Sequence, residues 1–400
     1  MSVDRAGSRA WGTRGPGALL ELVRSAPAWT RAELARETGH SRTTIAERLD
    51  SLQAAGYVVS NPAVTLTGGR PAETVSFNSG GGYILAADIG GSHTRLGVTR
   101  LDGSLLTTSE FDIDTADGPD AVLGFVVAEL AALLAASGLP ALPVVAIGVG
   151  VPGPVETATG RLSRPRSMPG WENVLVPSYF AGEFPGIPVF VDKDANIMAL
   201  GELQSGGEHY RNMIVLKAGM GIGCGVVVDG RVLHGSDGAA GDIAHIALGD
   251  GGACACGQTG CVEARASGRA IAARLGAAGR EVRTSRDIVD LVRDQDTLAI
   301  DLVRQAGRDI AEVLVLTIAV VNPSVIIVGG NLAESPEPLL AGIREVVYSS
   351  SHPFSTRSLE IIPSSIGVAA GLSGAAHLAL ASILDPLAVD AAISRGERWG

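Results

Sequence analysis

The sequence predicts an α/β protein, with an N-terminal winged helix-turn-helix ahead of a larger body in which one layout occurs twice. Three observations carry this prediction. Residues 18–60 read as three short, capped helices, and the two alternating segments that follow read as a hairpin. Beyond residue 83, a strand, a glycine turn, a second strand and an Asp-Gly turn occur at two places. The 400 residues are 46% hydrophobic with 53 glycines and 4% aromatics, which suits Ala/Val/Gly-rich layers with many tight turns. That length exceeds one core and implies two or three domains.

The first helix is ALLELVRSA. The second begins at Thr30, where TRAE is a capping box with Glu33 three residues on, and it stops at Gly39. The third starts after Ser41 and runs RTTIAERLDSLQAAG. Ile45, Leu49 and Leu52 fall at i, i+4 and i+7 and pack inward. Arg42, Thr43, Thr44 and Arg48 then face outward, the first three at the helix start, where recognition helices touch bases. YVVS and ETVSFN form the wing, with Arg70 at its basic tip. A helical bundle for protein contacts is the plainer alternative.

Charge separates the two regions. Residues 1–78 hold nine arginines against seven carboxylates, while the whole chain carries −11. An acidic protein meets nucleic acid through a separate module, so residues 1–78 are the expected DNA-binding domain. NSGGG supplies a linker over 79–82, and the body occupies 83–400. The start, MSVDRAGSRAWGTRG, lacks the apolar core of a signal peptide. Two long uncharged stretches, 130–155 and 313–333, are broken by Pro140, Pro143 and Pro323. Each reads as a buried helix followed by a buried strand, not a membrane span. A soluble, cytoplasmic protein is expected.

In the body, YILAADIGGSHTRLGVTRLDG and MIVLKAGMGIGCGVVVDG share the repeated layout. Glycines at such turns, here Gly90 and Gly91, then Gly219, Gly221 and Gly223, let backbone amides approach a phosphate. Each turn alone is as well explained by a tight hairpin. The segment CACGQTGCVE crowds three of four cysteines into eight residues. In a long chain without a signal peptide this reads as a metal site or a redox pair. Zinc is favoured, because Cys254, Cys256 and Cys261 supply three ligands and His245, nine positions upstream, a fourth.

These motifs resemble the ROK family (repressors, open reading frames and sugar kinases), within the sugar kinase, Hsp70 and actin superfamily. DIGGSHTRLGVTRLDG is similar to the family's first phosphate motif, AGMGIGCGVVVDGRVLHGSDGAAGDIAHI to its second, and VVNPSVIIVGG to its adenosine-side segment. CACGQTGCVE matches the family zinc signature C-x-C-G-x-x-G-C-x-E throughout. The resemblance implies a two-lobed actin-like, ribonuclease-H-like fold with structural zinc on His245, Cys254, Cys256 and Cys261. It further implies a sugar meeting Asp194, Asn196, Asp242, His245 and Glu263, with Asp88 on the phosphate side. Four residues depart from the family's kinases: Lys193 replaces an asparagine beside the presumed base Asp194, Met220 a threonine, His93 a lysine and, conservatively, Asp242 the glutamate of GEIGH.

The expected function is a DNA-binding regulator, a repressor, answering to a sugar or sugar phosphate and meeting operator DNA as a homodimer or homotetramer. The alternatives are an ATP- and Mg2+-dependent sugar kinase with a DNA-binding domain attached, and a regulator whose body serves dimerisation alone.

Overall fold

The computed structural model describes residues 15–64, 72–163, 168–206, 209–249 and 251–399. The N-terminal module comprises α1 (Pro16–Val23), β1 (Trp29–Thr30), α2 (Arg31–Thr38), α3 (Arg42–Ala54), β2 (Val58–Val64) and β3 (Ala72–Phe77). The caps form as their residue types dictate. The Glu33 amide donates to Thr30 Oγ1 while the Thr30 amide donates to the Glu33 carboxylate. Gly39 ends α2 at φ 72°, and Ser41 Oγ accepts from the Thr44 amide. Ile45, Leu49 and Leu52 are buried. The wing strand β2 runs on through Pro62, further than YVVS suggested. It can because β2 is an edge strand, where a missing N–H costs no ladder bond.

The first lobe follows with β4 (Tyr83–Ile89), β5 (Thr94–Arg100), β6 (Leu105–Phe111), α4 (Pro119–Ala136), β7 (Val144–Val151), β8 (Val155–Glu156), β9 (Arg161–Leu162), α5 (Pro177–Phe180) and β10 (Val189–Lys193). Next come α6 (Asp194–Gln204), β11 (Met213–Ala218), β12 (Ile222–Val228), β13 (Arg231–Val232), α7 (Val262–Ala266), α8 (Gly268–Ala277), α9 (Ser285–Arg293) and α10 (Thr297–Val321). The chain finishes with β14 (Val325–Gly329), α11 (Pro336–Ser350), α12 (Pro353–Thr356), β15 (Glu360–Pro363), α13 (Ala369–Ile383) and α14 (Pro386–Ser394).

The two five-stranded sheets have one topology. Their orders are β10-β7-β4-β5-β6 and β13-β12-β11-β14-β15. In each, the first strand pairs antiparallel with the second and parallel with the fourth. The repeated layout in the sequence is therefore a repeated sheet. The uncharged stretches resolve into α4 with β7 and α10 with β14, as expected. By length and composition α4 is apolar enough to cross a membrane, yet Val122, Leu123, Val126 and Leu130 pack into the first lobe's core.

Packing crosses the expected domain boundaries. One apolar cluster joins Leu19, Leu20, Leu34 and Leu49 of the N-terminal module to Ile84 and Ala146 of the first sheet and to Leu380 of α13. The segment expected as a linker is tied on both sides. Asn78 donates through its backbone to Tyr57 O, and the Leu101 amide donates to Ser79 O. The far C-terminus also joins the module: the Gly17 amide bonds Asp390 Oδ1 at 2.7 Å, and Trp399 stacks edge-on to Tyr57. A three-helix module this small buries too little of its own surface, so α1 covers its apolar face with α14.

Candidate functional site

β4 and β11 end close together, with Asp88 near the end of one 3.1 Å from Lys217 near the end of the other, and their glycine turns border one cleft of about 360 Å³. Gly90 and Gly91 line it from the first lobe, and Gly219, Gly221 and Gly223 from the second. The second turn is closed by the Gly219 amide donating to Gly221 O. It is braced by the start of α8, whose Gly268 and Arg269 amides donate to Gly219 O and Met220 O. Met220 itself lines the cleft and offers no hydrogen-bond donor there.

Asp194, Asp242, His245 and Glu263 all line this cleft. Asp194 begins α6, and its Oδ1 accepts from the Ala195 amide at 2.8 Å. Glu263 is held by the Ile222 amide at 2.9 Å. Burial pushes its carboxyl up to about 7, against the pull of that amide and of Arg269. Asp242 is exposed in the cleft wall just after Gly241, which has φ 76°. Asn196 does not join these cleft-lining residues. It turns away from the cleft and donates to Asp192 Oδ1 at 2.9 Å, because on α6 it lies two positions past Asp194 and so on another face.

The cation on Asp194 is not the one the sequence suggested. Lys193 reaches past it and donates to Ala240 O at 2.8 Å. Lys217, from the end of β11, sits instead 3.1 Å from Asp194 Oδ2 and 3.1 Å from Asp88 Oδ1. Burial alone would lower the Lys217 pKa, but the attraction of Asp194 and Asp88 outweighs it and raises it. Lys217 was missed, although a lysine interrupting the apolar run MIVLKA was a visible signal. Arg269, which reaches Gly91 across the cleft, was missed too and has no comparable signal.

His93 is buried at the cleft wall, with Nδ1 3.4 Å from Asn331 Nδ2 and no partner for Nε2 among the described residues. Burial, then the nearby Arg95 and Lys217, push its pKa down to about 4. It meets the cleft as a neutral imidazole.

Behind the cleft, ligand atoms of His245, Cys254, Cys256 and Cys261 lie within 4.8 Å of one another. His245 Nδ1 is 3.6 Å from Cys254 Sγ, and Cys256 Sγ is 3.6 Å from Cys261 Sγ. A tetrahedron with metal–sulfur bonds of about 2.3 Å has edges of about 3.7 Å, so both the spacing and the donor set fit a four-coordinate ion. No disulfide joins these cysteines. Gly257 and Gly260 turn the loop at φ 86° and 77°, and Gly260 lies where a Cβ would strike Gly249 O. The Glu263 amide donates to Ala244 O at 2.8 Å, tying the cluster to the cleft.

On the N-terminal module, Arg42 and Thr43 are exposed at the start of α3. Thr44 is half-buried, with Oγ1 2.8 Å from Ser41 Oγ. Arg48 is held against His40 at 2.8 Å, less free than its outward position on the helix suggested. Arg70 lies outside the described residues.

Known proteins share both parts of this architecture. The ROK family model matches residues 84–382, and a winged helix-turn-helix DNA-binding model matches 17–59. A xylose repressor of Bacillus spizizenii is 26% identical over 369 residues, covering 92% of this chain and 94% of that repressor. A solved ROK family transcriptional regulator, a homolog of the E. coli MLC protein, superposes with a TM-score of 0.78 at 26% identity over 95% of this chain and 98% of its own. A ROK family glucokinase from Streptomyces griseus, solved with glucose and AMPPNP, gives 0.63 at 27% identity over 74% of this chain and 99% of its own. The likeness to the regulators takes in the N-terminal module, which the kinase-sized match leaves uncovered. This chain belongs to the ROK family and carries the family's body behind a winged helix-turn-helix DNA-binding module.

Proposed function

We propose that this protein is a transcriptional repressor that binds operator DNA through α3 and its wing and changes that affinity when a sugar or sugar phosphate enters the cleft. The observation that carries the reading is the unbroken core between the DNA-binding module and the first lobe, which bears one wall of the cleft. A ligand that favours one arrangement of the lobes thereby also biases the module. Carboxylates suit sugar recognition because each accepts two hydroxyl hydrogen bonds in fixed geometry. Asp242, Glu263 and His245 supply that chemistry on the second lobe, and Asp194 supplies it at the start of α6.

His245, Cys254, Cys256 and Cys261 hold a structural zinc in this reading. When bound, the ion supplies rigidity, fixing the loop that presents Glu263. A palindromic operator calls for at least two copies of the chain. Leu316 and Val320, one turn apart and exposed on α10, offer apolar surface for such pairing. A regulator of chromosomal DNA works in the cytoplasm.

The test is operator binding measured with and without a panel of sugars and sugar phosphates. The expected coupling is about 1–3 kcal/mol, roughly five- to 150-fold in operator affinity. If no member of the panel alters that affinity, the body serves dimerisation alone.

A further inference from the structure

We propose that Lys217 is a built-in cation standing where phosphoryl-transfer chemistry requires a magnesium ion, so that the cleft takes its ligand without a divalent metal. The proposal rests on the sensor reading and sharpens it. Nucleotide chemistry in this fold needs a metal held by carboxylates to neutralise phosphate charge, and a carboxylate free to accept a proton. Asp88 and Asp194 are the residues available for those tasks, and neither is free for them.

The Lys217 ammonium lies 3.1 Å from each. Magnesium binds oxygens at about 2.1 Å and keeps several waters, so it cannot share the space between those two oxygens with an ammonium group. Nor can the carboxylates readily turn elsewhere. Asp194 Oδ1 is engaged by the Ala195 amide. Asp88 is packed against α13 at Gly371, where an added Cβ would overlap its carboxylate. Lys217 is confined too, its side chain only 12% exposed at the penultimate position of β11. Separating a largely buried cation from both partners would leave uncompensated charge, which is the costly way to break such a group.

The duplicated sheets explain why the charges meet. Asp88 is the penultimate residue of β4, as Lys217 is of β11. Equivalent positions of the two repeats therefore carry opposite charges and face each other where the sheets converge. The cation closes the two lobes' strand ends upon one another and leaves sugar-binding groups such as Asp242 and Glu263 exposed to the remaining cleft.

Manganese, a paramagnetic stand-in for magnesium, tests this in the full-length, zinc-loaded protein. Electron paramagnetic resonance of free Mn2+ should show no uptake by wild-type protein. Lys217→Ala should bind about one Mn2+ per chain through the vacated carboxylates, and Lys217→Ala combined with Asp88→Asn should lose it. Lys217→Met, close in shape but uncharged, repeats the measurement should the alanine variant not fold. Wild-type uptake that disappears in Asp88→Asn overturns the proposal. So does a Lys217 variant that keeps its zinc and its operator binding yet takes up no Mn2+. Operator release by sugar, measured in the same samples, separates the two readings. Wild-type protein that binds Mn2+ and still answers to sugar loses the built-in cation and keeps the sensor.

Discussion

Trp399, the last described residue, packs edge-on against Tyr57 of the DNA-binding module, with ring centroids 4.4 Å apart at 73°. Its amide donates to Ala55 O at 2.8 Å, so the far end of the chain caps the recognition helix. Replacing Trp399 by alanine should cost about 2 kcal/mol, less than a fully buried tryptophan because it is only half-buried. Leu387→Ser, at an exposed position, should change stability by less than about 0.5 kcal/mol. Urea midpoints measure both, and equal effects would refute the role given to the C-terminus.

His93 should make the protein acid-sensitive. Its folded pKa of about 4 lies below the usual 6.5, so the folded state resists protonation that the unfolded chain accepts. Stability is then fully present above pH 6.5 and falls as the pH drops toward 4. The loss approaches about 3 kcal/mol from this group. The neighbouring charges are Arg95, Lys217, Asp88 and Arg286. His93→Gln should flatten the slope over that window, read as wild type minus variant in chemical denaturation. A parallel pair of pH curves would exclude His93 as its source.

Metal analysis of protein never exposed to chelator should give about one zinc per chain. Cys256→Ser should lose most of the ion and, because Glu263 hangs on the same loop, weaken sugar binding as well. Folded, operator-competent wild-type protein with less than about a tenth of an equivalent would contradict the four-ligand site.

Asp242→Ala and Glu263→Ala should each abolish the operator response to sugar while leaving operator affinity in its absence within about twofold, since neither residue touches the DNA-binding module. Isothermal titration with the responding sugar checks the cleft directly. An unchanged response in both variants would move the sugar site elsewhere.

Arg42→Ala should weaken operator binding about tenfold or more, as loss of a base or phosphate contact at a recognition helix does. Its sugar affinity should stay within error. Arg48→Ala should show a smaller effect, because that side chain is already engaged by His40.

Much of this protein was legible in the chain itself, wherever a local rule decides. The Thr30–Glu33 box and Gly39 set the ends of α2 through neighbours a few residues away. The twice-written strand, glycine turn, strand and Asp-Gly turn is present as β4–β5 and β11–β12, each the start of a five-stranded sheet. CACGQTGCVE with His245 foretold a cluster whose ligand atoms gather within 4.8 Å, since the spacing itself limits where those side chains can go.

Tertiary structure alone decided the rest. Asn196 stands in the motif that carries Asp194, yet helical rotation turns it onto Asp192. Lys193 is the sequence neighbour of Asp194, but it bonds Ala240 O, while Lys217, 23 positions from Asp194 and 129 from Asp88, bridges the two carboxylates. Across the expected boundary near residue 80 one apolar cluster continues, and Trp399 packs against it. Periodicity and capping act over one or two turns of chain, so a sequence can state them. Charge pairing and apolar burial act between surfaces brought together by folding, and their partners carry no mark of each other in the order of residues.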